Sequence, residues 1–241
     1  MSIPEAHPFA FDPTYGMGIE QLLAIRPPEA PSGFEEFWTE RYCRALKVDP
    51  QPELRDSAST NPDWQASDIV YISTDSFKIG GWLLLPNKGE VRRGLVVGHG
   101  YGGREQPDFD IPVENTAILL PCFRGLSRSS RPGISQDPAL HVLHGIDSPD
   151  DYIIGGCVED LWLAVSALIA LFPQLDGQIG YSGISFGGVI AFLFADLIII
   201  PILDILRRYY GRRMMCFLLG TSYAAMVAAA WLVELLFAGA G

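Results

Sequence analysis

One pentapeptide in this chain has the residue types and spacing for covalent catalysis: Gly183-Ile184-Ser185-Phe186-Gly187, the pattern G-x-S-x-G. It follows the short run Gln178-Ile179-Gly180-Tyr181 and precedes an apolar, helix-like segment, so a strand-to-helix elbow is expected there. Glycines two before and two after the serine let such a turn approach neighbouring backbone and present Ser185 at the carboxyl edge of a sheet. Unpaired N–H groups and the helix dipole at that point favour an alkoxide or a bound oxyanion. The competing reading is a Gly/Ser turn without chemistry; the strand and helix signals on either side favour the elbow. A second glycine cluster, Gly98-His99-Gly100-Tyr101-Gly102-Gly103, directly follows the apolar run Gly94-Leu95-Val96-Val97. Its Gly98, Gly100 and Gly103 also satisfy G-x-G-x-x-G, the dinucleotide-binding pattern. That pattern requires a helix after the glycines and an acidic residue after the next strand for the ribose. The chain instead continues Gln106-Pro107-Asp108-Phe109-Asp110-Ile111-Pro112, and the next apolar run ends Leu120-Pro121-Cys122-Phe123, so no cofactor is expected. Cys43, Cys122, Cys157 and Cys216 lack metal-ligand or disulfide-framework spacing, so no metal is expected either.

A serine elbow must be carried by a sheet, and the chain has the elements for one. Residues 1–33 are rich in Pro and Gly and are expected to wrap the surface. Gly33-Phe34-Glu35-Glu36-Phe37-Trp38 opens a short amphipathic helix reaching about Lys47, whose aromatics are expected to pack. Period-two alternation over Asp68-Ile69-Val70-Tyr71-Ile72-Ser73, and again from Phe77 to Leu85 across a Thr-Asp-Ser turn, predicts a hairpin ending at Pro86-Asn87. Gly94-Leu95-Val96-Val97 and Thr116-Ala117-Ile118-Leu119-Leu120 suit buried parallel strands. A helical stretch lies within residues 150–172, clearest in Val158-Glu159-Asp160-Leu161-Trp162-Leu163-Ala164-Val165. Antiparallel strands first, then strands alternating with helical crossovers, describe an α/β fold with a mostly parallel sheet.

Four segments then resemble the acetyl xylan esterase and cephalosporin-C deacetylase family of α/β-hydrolases. They are Gly94 through Gly103, Phe123-Arg124-Gly125-Leu126-Ser127-Arg128-Ser129, His141-Val142-Leu143-His144-Gly145-Ile146, and Gly180 through Gly188. The resemblance spans about residues 30–190. It implies removal of acetyl groups from sugar hydroxyls by a Ser/His/Asp triad without metal or cofactor. Ser185 would be the nucleophile, and the backbone N–H groups of Tyr101 and Phe186 would form the oxyanion hole. At Phe186 the family usually has Gln; the amide still serves, beside a more apolar pocket. The resemblance also implies an order of Ser, then acid, then His. His7, His99, His141 and His144 all precede Ser185, and none occurs in the 56 residues after it. Asp196 and Asp204 lie within apolar runs. A partial hydrolase sheet, cut off just after its nucleophile, is therefore expected.

Composition divides the chain at the same place. It is 49% hydrophobic and only 19% charged, with a mean hydropathy of +0.20, whereas soluble domains carry roughly 25% charged residues. Residues 187–241 carry four arginines against three carboxylates, a net +1, which leaves −12 of the total −11 for residues 1–186. An acidic chain of this kind argues against a nucleic-acid partner. Residues 214–233 hold no formal charge over 20 positions, the length that crosses roughly 30 Å of hydrocarbon, and Arg207-Arg208-Tyr209-Tyr210-Gly211-Arg212-Arg213 precedes them. Gly220, Ala224 and Ala228 form a small-residue stripe. Residues 189–206 are apolar but carry Asp196, Pro201 and Asp204, suiting a second, polar-interrupted span; the alternative is a buried helix pair. The stretch from Gly187 to Asp204, with the Arg/Tyr cluster behind it, is similar to a family of predicted bacterial membrane permeases. The expected organisation is an esterase-like part over 1–186 and an apolar helical, membrane-like tail over 187–241, associating with a membrane through 189–237. The expected function is a weak or inactive deacetylase acting on an acetylated sugar or similar small ester; the alternative is a membrane-associated, permease-like fragment joined to an inert hydrolase part. Residues 1–10 carry no apolar signal-like run, so the esterase-like part is expected in the cytoplasm.

Overall fold

The structure, a computed structural model, describes residues 16–26 and 31–190. The chain divides into two units, Met1–Phe34 and Glu35–Gly241. In the first, the side chain of Gln21 accepts the Gly18 N–H at 2.9 Å and closes the amino end of the short helix α1 (Ile19–Leu23). Most of the segment expected to wrap the surface, and both apolar segments of the tail beyond residue 190, lie outside the described residues.

Among its described residues the second unit has six strands in the order β1-β2-β3-β5-β4-β6. The predicted hairpin is β2 (Trp64–Ile72) and β3 (Lys78–Pro86), paired antiparallel from Trp64 opposite Pro86 to Ile72 opposite Lys78. β2 begins four residues before the alternation becomes regular. The two apolar runs are β4 (Arg93–Gly98) and β5 (Thr116–Pro121), paired in parallel, and β6 (Ile179–Gly183) joins β4 in parallel, with Gly98 opposite Gly183. The sheet is not mostly parallel as expected: among the described residues β1–β2, β2–β3 and β3–β5 pair antiparallel, because β5 takes the free edge of the hairpin, and only β4–β5 and β4–β6 are parallel. β1 (Glu53–Asp56), Glu-Leu-Arg-Asp with all four residues exposed, has no strand signal of its own; it forms because β2 offers it an open ladder. All six positions of β5 are buried, as expected for a strand covered on both faces.

Alternation then sorts side chains between two layers. Ile69, Tyr71, Ile79, Leu83, Val96, Ala117 and Leu119 face the helices, where α2 (Phe34–Ala45) supplies Trp38 and Ala45. Trp64, Trp82, Leu84, Ile118 and Leu120 occupy the other face, against Phe109, Ile111 and Val113 of the β4–β5 connection. After the single turn α3 (Pro138–His141), capped by Asp137, comes the crossover helix α4 (Ile153–Leu171). α4 is apolar and long enough to span a bilayer, yet most of it is buried within the fold. Val158, Leu161, Ala164 and Leu168 belong to the same core as the strands.

α4 also carries two adjacent carboxylates, Glu159 and Asp160, both fully buried. Such charges are tolerated only when paired and hydrogen-bonded. Glu159 accepts from Arg41 at 3.0 Å, Arg44 at 2.6 Å and the Thr74 hydroxyl at 2.5 Å. Asp160 accepts from the Arg124 guanidinium at 2.7 Å, the Arg124 backbone N–H at 3.0 Å and the Ser73 hydroxyl at 2.6 Å. A Cβ at Gly156 would lie 2.6 Å from the Arg124 Cζ, so only glycine lets α4 come this close. Replacing Asp160 by Ala leaves Arg124 buried without its carboxylate, and the expected loss is about 3–5 kcal/mol in urea unfolding. A loss below about 1 kcal/mol would show that this cluster does not hold α4 to the sheet.

Candidate active site

Ser185 stands two residues beyond β6, and residues 186–190 begin a helix, so the predicted strand-to-helix elbow is formed. Its φ of 53° is left-handed, a conformation costing a non-glycine residue roughly 1–2 kcal/mol unless its surroundings impose it. Here they do. The Gly187 N–H donates to the carbonyls of His99 at 2.9 Å and Ile184 at 3.0 Å, and the Val189 N–H donates to the Ser185 carbonyl at 3.0 Å. The Tyr181 hydroxyl donates to the Gly187 carbonyl at 2.9 Å. A Cβ on Gly187 would lie 2.6 Å from the Gly98 carbonyl oxygen, which explains the glycine two residues after the serine. The Ser185 side chain is left exposed.

The loop after β4 runs beside the serine: a Cβ at Gly100 would lie 3.7 Å from the Ser185 Cβ. The next residue, Tyr101, stacks its ring on that of Phe186 at 4.0 Å and 29°. Among the described residues neither the Tyr101 nor the Phe186 backbone N–H has an acceptor. The three predicted site residues thus meet at the carboxyl ends of β4 and β6. The glycine loop leads into irregular chain, not a helix, so the geometry of a dinucleotide fold is not built here.

A cleft of about 490 Å³ lies beside the elbow, lined by Gly98, His99, Gly100, Ser182, Gly183 and Ile184 among others. A larger one, about 700 Å³, sits at the opposite ends of the strands around Trp64, Pro86 and Phe109, and includes no serine, cysteine or histidine. Of the two, the smaller cleft is the one that adjoins the elbow, through Gly183 and Ile184.

Two of the histidines that precede the serine are committed to structure. The Phe123 N–H donates to His99 Nε2 at 3.0 Å, so Nδ1 carries the proton and donates to the Gly100 carbonyl at 2.6 Å. His141 Nε2 donates to the Arg124 carbonyl at 2.9 Å, and its Nδ1 receives the Tyr101 hydroxyl at 3.0 Å. His144 is exposed, and His7 lies outside the described residues. Sequence reasoning did not single out Arg104 as a site residue. It is buried and bridges the ends of β4 and β5, donating to the carbonyls of Val97 at 3.1 Å and Pro121 at 3.4 Å, with Asp108 at 2.8 Å as its counter-ion. The only signal available in the sequence was an arginine directly after the glycine cluster.

Burial pushes His99 down to about 4, against the opposing effect of its bond to Gly100, and burial lowers His141 as well. The unfolded chain protonates His99 near pH 6.5, the folded chain only near 4. Stability is therefore full above pH 6.5 and falls as the pH drops toward 4, by on the order of 3 kcal/mol from His99. Urea midpoints taken across that range should show this slope, and His99→Gln should flatten it. The strain at Ser185 gives a separate outcome: Ser185→Gly should be about 0.5–1 kcal/mol more stable than Ser185→Ala in the same assay.

Comparison with known proteins places this geometry. A family model described as acetyl xylan esterase (AXE1) matches residues 13–202, and one described as a predicted permease matches residues 177–235. A curated Mycobacterium tuberculosis protein, "Putative permease Rv2963", is 73% identical over 55 residues, which are 23% of this chain and 14% of that protein. Acetyl xylan esterase 1 from Thermoanaerobacterium sp. JW/SL YS485 superposes with a TM-score of 0.62 at 20% identity, over 75% of this chain and 60% of the other. The acetyl xylan esterase from Paenibacillus sp. R4 does so with 0.54 at 21% identity, over 75% and 61%. The chain thus spans about three fifths of these esterases and one seventh of the permease relative. At such identities the structural likeness establishes the fold, a mixed α/β architecture on a six-stranded sheet, while the family match covers most of the sequence. This chain belongs to the acetyl xylan esterase family, and its C-terminal residues match a permease family as well.

Proposed function

We propose that residues 1–186 form an esterase-like part that recognises acetylated sugars or similar small esters, with Ser185 as nucleophile. The observation that carries this reading is the exposed Ser185 at φ 53° beside two N–H groups, those of Tyr101 and Phe186, without acceptors among the described residues. The Ser185 Oγ would attack the acetyl carbonyl carbon, and the two amides would hold the oxyanion as the carbonyl becomes tetrahedral. Collapse expels the sugar oxygen, which must gain a proton; water then releases acetate from the serine. Both steps need a base that also serves as acid. No histidine follows Ser185 in the sequence, and His99 and His141 have both ring nitrogens engaged. Oxyanion stabilisation and binding alone leave roughly 10³–10⁴ over water in the best-studied serine hydrolase. Turnover of p-nitrophenyl acetate by this chain should therefore be slow, and that slow rate should fall further in Ser185→Ala. Rapid turnover abolished by Ser185→Ala would establish an active esterase with a base other than His99 or His141; a rate unchanged by the substitution would remove Ser185 from the chemistry.

The permease match over residues 177–235 supports a second reading, in which residues 187–241 are a membrane-associating tail joined to the esterase-like part. The uncharged run 214–233 behind four arginines is the feature that suits it. Carbonate-resistant, detergent-soluble partitioning of the expressed chain into membranes is the expected result. Recovery of the full chain as a monomer without detergent would overturn it.

A further inference from the structure

We infer that the hydrogen bond between the Tyr101 hydroxyl and His141, together with the stacking of Tyr101 on Phe186, is the brace that fixes both backbone N–H groups of the proposed oxyanion hole. This deepens the esterase reading and rests on it for the role of those two amides. Tyr101 lies among Gly100, Gly102 and Gly103, the last at φ 78°. Glycines make such a loop permissive and give it no rigidity of its own. A single backbone bond, Gly103 N–H to the Gly100 carbonyl at 3.0 Å, closes it. The Gly100 carbonyl, in the same peptide as the Tyr101 N–H, also accepts from His99 Nδ1 at 2.6 Å, which holds one edge of that peptide; the Tyr101 side chain supplies the second hold, from the side of His141 and Phe186.

The partners of that side chain are themselves anchored. A carbonyl only accepts, so the contact from His141 Nε2 to the Arg124 carbonyl puts the ring proton on Nε2 and leaves the Nδ1 lone pair for the Tyr101 hydroxyl. Burial raises the Tyr101 phenol above its usual range, which keeps it protonated and able to donate. His141 is fully buried, and Arg124 is locked by Asp160 on α4. On its other side the Tyr101 ring lies on Phe186, which stands edge-on to Phe123 at 5.1 Å. One phenol thus links the loop that carries the first amide to the helix start that carries the second. Tyr101 and His141 are positioning residues here, acting through backbone groups. At residue 186 an aromatic ring supplies the stacking surface, whereas Gln would offer none of comparable area.

The test uses the full chain in detergent. Tyr101→Phe removes one oxygen and retains the ring stack. In ¹⁵N relaxation, amides 100–103 should fall from rigid values near 0.85 to below about 0.6 in order parameter, the Phe186 amide resonance should move, and His141 Nδ1 should take the shift of an unbonded nitrogen. His141→Gln offers an acceptor and a donor in the same side chain and should keep the loop ordered. A loop that stays rigid in Tyr101→Phe, with the Phe186 amide unmoved, would overturn the brace. Methylboronic acid reads the consequence without any catalytic base: Ser185 Oγ bonds to boron, boron becomes tetrahedral and anionic, and the hydroxyl proton passes to buffer. ¹¹B NMR should show this adduct in the wild type and not in Ser185→Ala, with roughly tenfold weaker binding in Tyr101→Phe. Equal affinity in Tyr101→Phe would count against the brace. An adduct missing from the wild type, or surviving in Ser185→Ala, would refute the Ser185 site instead, and the relaxation comparison would still decide the brace.

Discussion

Two carboxylates with no access to water sit side by side on a helix that is otherwise apolar, and the arrangement of this fold follows from satisfying them. Glu159 draws Arg41 and Arg44 from α2, and Asp160 draws Arg124 from the loop after β5 and Ser73 from the hairpin turn. Three segments distant in sequence are thereby tied to α4. An ion cluster of this kind contributes little net stability compared with a well-packed apolar core, but removing one member is costly, which makes it a strong constraint on geometry. The constraint reaches the site, because Arg124, once fixed, presents its carbonyl to His141.

At the other end of α4 the chain returns through β6 and turns at Ser185. The elbow is a strained conformation stabilised by close backbone contact among Gly98, Gly183 and Gly187, and no bulkier residue fits these positions. What results is an exposed serine beside the Tyr101 and Phe186 N–H groups, which have no acceptor among the described residues. The histidines near it have been given to other tasks. His99 holds the Phe123 amide and the Gly100 carbonyl, and His141 joins Arg124 to Tyr101. A general base needs a free lone pair facing the serine, and neither ring offers one.

The esterase and permease matches overlap over residues 177–202, which contain β6 and the elbow. The run Gly187-Gly188-Val189-Ile190, in the helix that follows the elbow, falls inside both matches. The change in character on either side is nevertheless large, from −12 over residues 1–186 to +1 over residues 187–241.

Much of this was legible in the residues alone. Alternation over Asp68–Ser73 and Phe77–Leu85, the apolar runs at Leu95 and Ile118, and the glycine spacing around Ser185 each encode a local conformation, and local conformation depends on near neighbours that a sequence displays. The ends of β2, the existence of β1 and the sheet order β1-β2-β3-β5-β4-β6 depended on which ladders were left open after the hairpin and parallel pairs had formed. The roles of Glu159, Asp160, Arg124, His99 and His141 were likewise invisible. Each is defined by a partner between 17 and 118 positions away, apart from the His99–Gly100 contact. The sequence by itself determined that a serine would lie on a glycine-flanked strand-to-helix turn, because that pattern is local; the contacts with Gly98 and His99 that hold Ser185 at φ 53° came from packing. Only the tertiary structure decided that the nearby histidines were engaged and that Tyr101 and Phe186 would stack, because hydrogen-bond partners and ring contacts are chosen by packing between distant segments.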